Sequence, residues 1–440
     1  MAPFRWHPPP ADLALGVGFY ASGTEPIPGR IKSAAGDFEV RELSAYPVPD
    51  PSGPFTVLRV RSSDREQHEL AQELARRLGL PPHAISWAGT KDRRAVSERL
   101  FSYRGSPPER LPEVPGASVI EVYRARDGLS LGHHYGNAFT VRVTGLTGAP
   151  TDALGGFFAV RDELRERGGF PNFFGPQRFG EVRPVTHLVG RALVLGRPEE
   201  AVDLYLTWLP PEGDAIGAEA RREYAEHHDA ARALQTFPPA FRFERVLLDH
   251  LARGHPATRA IGALSRELRT LFLHAYQALL FNRWVTRRAL EGLSPGVPEV
   301  GDRLLRYASD GTVPGTAPVP VGSDNLSECR DLASRGRARV AGPLVGYETP
   351  ALEGIGGAIL RSILSEEGVT PSDFSLPRSP GLASAGGWRP IEVPTPPIGI
   401  SAEEGTGPGA PPCVALRFSL PKGAYATTLL REFLKPGATS

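Results

Sequence analysis

Residues 414–434 read VALRFSLPKGAYATTLLREFL, and the fold turns on them. Val414, Leu416, Phe418 and Leu420 alternate with Ala415, Arg417 and Ser419, the period-two pattern of a strand with one buried face. Pro421-Lys422-Gly423 breaks the strand, and a helix is expected over 426–434. A strand this late needs a sheet to join, yet residues 391–412 (IEVPTPPIGISAEEGTGPGAPP) read as a Pro/Gly-rich connector without periodicity. The other strand signals lie in the first third of the chain. Phe38, Val40 and Leu43 follow a Gly36-Asp37 turn, residues 55–61 read FTVLRVR, and residues 137–144 read NAFTVRVT. In the last of these Asn137, Phe139, Val141 and Val143 share one face, with Ala138, Thr140, Arg142 and Thr144 on the other. The middle reads as helix and loop, with helical stretches at 153–167 and 258–290 and Gly262 as a break. The expectation is an α+β chain in which one strand-built domain is interrupted by another.

Composition bounds the function classes. A chain of 440 residues with 40% apolar content supports two domains and excludes wholesale disorder, while 49 glycines and 45 prolines predict extensive loops. No apolar run approaches the roughly 18 residues of a membrane span, and MAPFRWHPPP has prolines where a signal peptide has its apolar stretch. A soluble cytoplasmic protein is expected. Cys329 and Cys413 are the only cysteines, and neither HExxH nor CxxC occurs, so no metal site is expected. With 50 basic and 49 acidic residues there is no global basic coat, and a polyanion must be met by a local patch. Only Lys32, Lys91, Lys422 and Lys435 are lysines. In so arginine-rich a chain the surviving lysines are enriched for positions that need a compact ammonium.

Four stretches could carry chemistry. Ser63-x-x-Glu66 has the form of a capping box for a helix with Leu70, Leu74 and Leu78 at i+4 spacing and Gly79 as its stop. A short strand at 85–88 then leads into a loop within WAGTKDRRAV, residues 87–96, where Asp92 stands among Lys91, Arg93 and Arg94. Neighbouring cations favour the ionised carboxylate that a nucleophile or general base needs, although a solvated charged loop reads the same way. Asn137 and Phe139 form the second: core residues, or a ring that stacks on a planar ligand while the amide orients a carboxylate or a base edge. The third, PNFFGPQRFG at 171–180, has no phosphate-cradle pattern and reads as an aromatic-packed turn joining two domains. The fourth, residues 241–290, holds nine arginines against Glu244, Asp249 and Glu267, with Phe272, Tyr276, Phe281 and Trp284 interleaved. It fits either an RNA-facing patch or an amphipathic helix with a basic outer face. His133-His134 and Glu226-His227-His228-Asp229 lack metal-ligand spacing, and Gly354-Ile355-Gly356-Gly357 reads as a turn.

Taken in order, the motifs resemble the TruD family of tRNA pseudouridine synthases. The resemblance rests on Lys32 with Asp37-Phe38-x-Val40-x-Glu42, AGTKDRRAV at 88–96, GNAF at 136–139 and PNFFGPQRFG at 171–180. It continues through AYQALLFNR at 275–283, GPLVG at 342–346 and LRFSLPKGAYATTLLRE at 416–432. It implies a cofactor-free isomerase acting on tRNA, generally at the uridine of position 13, that detaches uracil at N1 and rejoins it to C1′ through C5. The family's aspartate nucleophile falls on Asp92, and its uridine-pocket positions fall on Phe38, Asn137, Phe139 and Tyr425, with Lys32 and Lys91 as supporting residues. It also implies a pseudouridine-synthase catalytic domain with a mixed, mainly antiparallel sheet. Residues 1–170 and 393–440 would form it, around an inserted TruD-type domain at 171–392. Arg99 stands where the family's loop motif commonly has glutamine and Trp388 where an arginine is common; both bear on RNA contact and loop support, away from the nucleophile. A tRNA-binding protein that has lost the activity, or a hydrolase of the glycosidic bond, are the competing readings.

Overall fold

The computed structural model describes residues 4–89, 95–130, 132–180, 182–210, 217–307, 317–377, 379–405 and 411–438. The first part of the chain carries α1 (Pro10–Ala14), β1 (Phe38–Leu43), β2 (Phe55–Ser63), α2 (Gln67–Arg77), β3 (Ser86–Trp87), β4 (Val96–Arg104), β5 (Ala117–Ala125), β6 (Gly136–Val143) and α3 (Pro150–Arg167). The middle begins with β7 (Gly169–Pro171) and continues through α4 (Thr186–Val194), α5 (Pro198–Thr207), α6 (Ala218–His227), α7 (Ala230–Thr236), α8 (Arg242–Ala252), α9 (Ala257–Gly262) and α10 (Arg266–Leu290). It goes on with β8 (Arg303–Arg306), β9 (Val319–Pro320), α11 (Leu326–Ser334), β10 (Ala338–Leu344), α12 (Gly354–Glu367), β11 (Gly387–Pro390) and β12 (Glu392–Pro394). The chain returns through β13 (Gly399–Glu403), β14 (Cys413–Pro421) and α13 (Ala426–Leu434).

The main sheet has eight strands in the order β13-β14-β6-β1-β4-β2-β5, with β3 paired to β4. Among its described pairings only β1 with β4 is parallel, so the sheet is mixed and mainly antiparallel. The late strand is therefore not at an edge: β14 lies between β13 and β6, with Leu416 opposite Val141 and Phe418 opposite Phe139. Partners in register share a face of the sheet. Val40 pairs with Phe139 and with Ser97, and on β4 Arg99 pairs with Val60 and Phe101 with Leu58. One face thus runs continuously across the sheet. At one end it is covered by Leu70 and Leu74 of α2, at the other by Phe157, Val160 and Leu164 of α3 with Leu429, Leu430 and Phe433 of α13. Each of these fully buried side chains contributes about 1.5–3 kcal/mol.

Two further cores build the middle of the chain. Helices α4 to α9 pack around Val189, Leu206, Leu248 and Ile261. The second core gathers Tyr276, Phe281 and Trp284 of α10, Val340 of β10, Ile363 of α12, and also Leu15, Val17 and Phe19 from the first twenty residues. It includes a four-stranded sheet, β11-β10-β8-β9. Where the chain leaves and re-enters the main-sheet region, β7 and β12 pair, Phe170 opposite Val393. No helix among the described residues is long and apolar enough to cross a membrane.

Several sequence expectations change. The Glu66 side chain caps α2 directly, accepting from Glu69 N at 2.9 Å, because Ser63 still pairs with Val96 in the sheet and Asp64 turns the chain at φ +51°. The 391–412 connector contains β12 and the edge strand β13, whose GISAE sequence pairs on one side only and carries no apolar alternation. Gly354-Ile355-Gly356-Gly357 is the first turn of α12, and Trp284 Nε1 donates to Gly356 O at 2.9 Å. Helix α9 ends at Gly262, as read, and α10 begins after the Ser265 cap. Where α4 crosses α10, Gly190 lies against the Phe272 carbonyl, leaving no room for a Cβ.

On α4, His187 is buried with its ring edge on Phe179 at 5.4 Å, and Nδ1 has no hydrogen-bond partner among the described residues. Burial, with Arg283 nearby, pushes its pKa from 6.5 down to about 4. The unfolded chain therefore binds a proton that the folded chain refuses, and stability falls as pH drops from 6.5 towards 4. The loss should be on the order of 3 kcal/mol. Urea midpoints at pH 7.5 and 4.5 should show a smaller acid loss for His187→Leu than for wild type; equal losses would refute this assignment.

Candidate functional site

Between α2 and α13 no described helix covers the continuous sheet face, and there it floors a cleft of about 690 Å³. Its lining includes Phe38, Val40, Arg99, His134, Asn137, Phe139, Gln177, Arg178, Lys422 and Tyr425. Residues from β1, β4, β6, the 171–180 block and the β14–α13 turn thus meet in one place. Phe38, Asn137, Phe139 and Tyr425, far apart in the chain, are all brought together here.

Each has a structural reason for its place. Phe139 stacks on Phe418 with centroids 5.4 Å apart and planes at 25°, and meets Phe38 edge-on at 6.0 Å. One face of the ring is held by the core, so the ring is a rigid wall. Phe38 itself is only 2% exposed. Lys32 stands behind the cleft, its ammonium 4.6 Å from the Phe38 ring, and is held at φ +58°. Asn137 lies between Glu42 and Leu420 in register, and its Oδ1 is buried without a hydrogen-bond partner among the described residues. A buried acceptor of that kind is a place for a ligand N–H. Tyr425 is the residue before α13, and its hydroxyl accepts from Arg178 Nη2 at 3.2 Å.

Arg99 is not remote from this chemistry. It pairs with Glu42 at 3.3 Å, with side chains 4% and 1% exposed, and lines the cleft. Burial raises the Glu42 pKa while Arg99 opposes the rise. The 171–180 block is both the aromatic turn that was expected and a cleft wall. Asn172 Oδ1 accepts from Arg389 Nη2 at 2.6 Å, and that guanidinium lies 4.1 Å from the Phe174 ring, 5.6 Å from Phe281 and 5.7 Å from Tyr425. Burial pulls the Arg389 pKa down to about 10, which leaves it a cation at neutral pH. Its neighbour Trp388, on β11, packs against the second core, 5.9 Å from Arg303.

Asp92 and Lys91 lie outside the described residues. The backbone leading to them is fixed from two sides: Gln67 Nε2 donates to Gly89 O at 2.7 Å, and Gly132 N donates to Ala88 O at 2.7 Å. Of the other lysines, Lys422 is on the cleft lining and donates to Gly132 O at 3.2 Å. Lys435 is buried, donating to Ser22 Oγ at 2.7 Å and Glu432 O at 2.6 Å, and burial pulls its pKa down to about 8. It serves the fold.

The four aromatics singled out in the 241–290 stretch offer no stacking surface, and the exposed ring there is Phe243. Phe272, Tyr276, Phe281 and Trp284 are core residues at 2% exposure or less. Much of its charge is spent internally: Arg288 on Asp302 at 2.7 Å, Arg283 on Glu367, Arg287 on Glu366, and Arg245 on the carbonyls of Leu234 and Phe237. Nothing in the sequence marked His134 as a lining residue, since it arrives there from a loop, while Gln177 comes from the short 3₁₀ turn Pro176–Arg178 within the 171–180 block. Among the described residues no group of three or more His, Cys, Asp or Glu could hold a metal ion.

With this geometry in hand, the comparisons with known proteins are direct. The family model described as tRNA pseudouridine synthase D (TruD) matches residues 14–433. A Halobacterium salinarum protein named probable tRNA pseudouridine synthase D is 38% identical over 97% of this chain and 98% of its own. A Thermococcus sibiricus protein of the same name is 34% identical over 94% and 97%. The crystal structure of the Methanosarcina mazei protein assigned as tRNA pseudouridine synthase D (TruD) superposes with a TM-score of 0.82 at 30% identity, covering 97% of this chain and 98% of that one. The chain belongs to the TruD family of tRNA pseudouridine synthases.

Glu42 tests the cleft's support. Glu42→Ala leaves the Arg99 guanidinium buried without its carboxylate and should cost about 3–5 kcal/mol, with Glu42→Gln costing less. Urea unfolding at pH 7 measures both, and a loss for Glu42→Ala below about 1 kcal/mol would show the pair to be dispensable.

Proposed function

We propose that the cleft receives one uridine extruded from tRNA, that of position 13, and that Asp92 is the nucleophile of its isomerisation to pseudouridine. The reaction class follows from family membership: the chain is a tRNA-modifying isomerase. The observation that carries the site assignment is the convergence of Phe38, Asn137, Phe139 and Tyr425 on a single cleft. Extruding a base costs a few kcal/mol, and stacking on an aromatic ring recovers about 1–3 kcal/mol of it. Phe139, braced by Phe418, supplies that ring. The Asn137 amide oxygen takes an N–H, of the base or of the loop. Arg99, Arg178 and Lys422 give the cleft its positive charge, which suits a polyanion.

In this reading the Asp92 carboxylate attacks either C1′, releasing uracil, or C6 of the ring. Either way the base turns within the closed stack of rings and rejoins through C5. The isomerisation is redox-neutral and adds no group, so the proposal involves no cofactor and no metal. The catalytic unit is residues 1–170 with 393–440, and 171–392 is the inserted domain; the pairing of β7 with β12 at the two junctions supports that division. The reaction is assigned to the cytoplasm.

Pseudouridine mapping of a bulk tRNA pool, with EDTA present and no nucleotide added, tests the assignment. Wild type should make a single new site, and Asp92→Asn none, while its tRNA affinity stays within a few-fold. Activity retained in Asp92→Asn would remove Asp92 from the mechanism. Phe139→Leu should keep the fold and lose roughly tenfold to a hundredfold in kcat/KM, the value of one base stack; an unchanged kcat/KM would refute the platform.

A further inference from the structure

Rejoining uracil through C5 creates a chemical demand that the rings cannot meet. When C5 bonds to C1′, the bond from C1′ to its former partner breaks, and C5 becomes tetrahedral while still bearing its hydrogen. That hydrogen must leave as a proton. The C5–H electron pair then restores the C5–C6 double bond, pushing the C6–N1 pair onto N1 if Asp92 attacked C1′ or expelling the Asp92 carboxylate from C6 if it attacked there, and N1 takes a proton from water, so the net change is an isomerisation. The demand is the same whether Asp92 attacks C1′ or C6. Some base has to accept the C5 proton, and a phenyl ring such as Phe139 or Phe38 has no lone pair to do it.

Among the described residues the ionisable side chains on the cleft are Arg99, His134, Arg178, Lys422 and Tyr425. Arg99, Arg178 and Lys422 are cations without a basic lone pair, and the Tyr425 hydroxyl is engaged by Arg178 at 3.2 Å. His134 differs. Its Nδ1 lies 3.2 Å from Ala88 O, and since a carbonyl can only accept, Nδ1 carries the hydrogen and Nε2 keeps its lone pair. The ring is fixed as well as polarised: it packs against Gly89 so closely that a Cβ there would stand 2.9 Å from the imidazole. His133, by contrast, is turned to Tyr46 and to Ser130 N.

From this geometry we infer that His134 is the base that takes the proton from C5 when pseudouridine is released. The inference rests on the function proposed above. The surroundings keep the imidazole neutral: burial, then Arg99 on β4 and Lys422 in the turn after β14, push its pKa below the usual 6.5, against the Ala88 carbonyl which raises it. A neutral imidazole that persists below ordinary pH remains able to accept.

A tRNA transcript carrying [5-²H]uridine separates this role from a structural one. In wild type, single-turnover rates should show a deuterium isotope effect that grows as pH falls through the His134 pKa, because protonated imidazole cannot accept and C5 proton loss becomes limiting. His134→Gln keeps a donor for Ala88 O but no proton acceptor. It should lose roughly a hundredfold in kcat with KM within about threefold, show the full isotope effect at every pH, and lose the acid limb. A kcat within about threefold of wild type, or a lowered kcat without an isotope effect, would overturn the inference. The wild-type isotope measurement stands even if the variant folds poorly, and an effect that does not change with pH would overturn it too. If wild type makes no pseudouridine at all, the functional assignment fails and not this step alone.

Discussion

Everything at the cleft depends on one pairing, β14 against β6. Those strands are separated by about two hundred and seventy residues of chain, and the loop-closure entropy of joining them grows only logarithmically with that distance. A long stretch of chain between the two strands is therefore tolerable, provided the strands that close around it pair strongly. They do: eight in-register partners run from Val414 opposite Val143 to Pro421 opposite Gly136. Because side chains alternate with period two, a one-residue slip would turn Phe418 away from Phe139 and Leu420 away from Asn137. Burial of Val414, Leu416 and Val141 at 0% exposure makes that slip expensive.

The same sheet face serves stability at its ends and chemistry in its middle. Helices α2, α3 and α13 cover the ends, and in the middle the cleft floor sets Arg99, held by the buried Glu42, beside an amide and two phenyl rings. A polar face of this kind is costly in a core. It is tolerable at the floor of a cleft, where the groups can meet a ligand or water. The β7–β12 clasp and the Arg389–Asn172 contact then tie the middle of the chain to the wall that holds Tyr425. The caged Arg389 guanidinium is thus one of the contacts that join the middle of the chain to the site.

Sequence legibility followed local physics. Alternation alone placed β1, β6 and β14 and the face of Asn137 and Phe139, because each of those strands has a clean buried side. β4 was harder to read, since its cleft face carries Ser97 and Arg99 where a core strand would be apolar. β13 was hidden by its glycine and by the prolines around it, which an edge strand tolerates and a central one does not. The small second sheet was hidden for the same reason: β8 and β9 are short and flanked by charge and glycine. In the 241–290 stretch composition misled, because arginines paired within the protein look like arginines awaiting RNA until their carboxylates are located in space. Phe38 and Tyr425 were legible as cleft residues only through the family resemblance, whereas His134 had no signal: a histidine's role depends on what its nitrogens touch.

Charge explains why a neutral chain can handle a polyanion. With basic and acidic residues nearly equal in number, long-range steering is weak, and attraction has to be local. Most arginines that could have formed a broad patch are neutralised by partners on adjacent helices, such as Arg287 by Glu366 and Arg191 by Glu367. At the cleft Arg99 follows that pattern through Glu42, while Arg178 and Lys422 add cations to a lining whose described residues include no carboxylate. Positive charge is therefore concentrated where one nucleotide and its phosphates would enter, and the same cations help to keep the nearby imidazole unprotonated. Binding of the backbone and readiness of a base at the ring are in that sense one electrostatic arrangement, set by which side chains the sheet leaves uncovered.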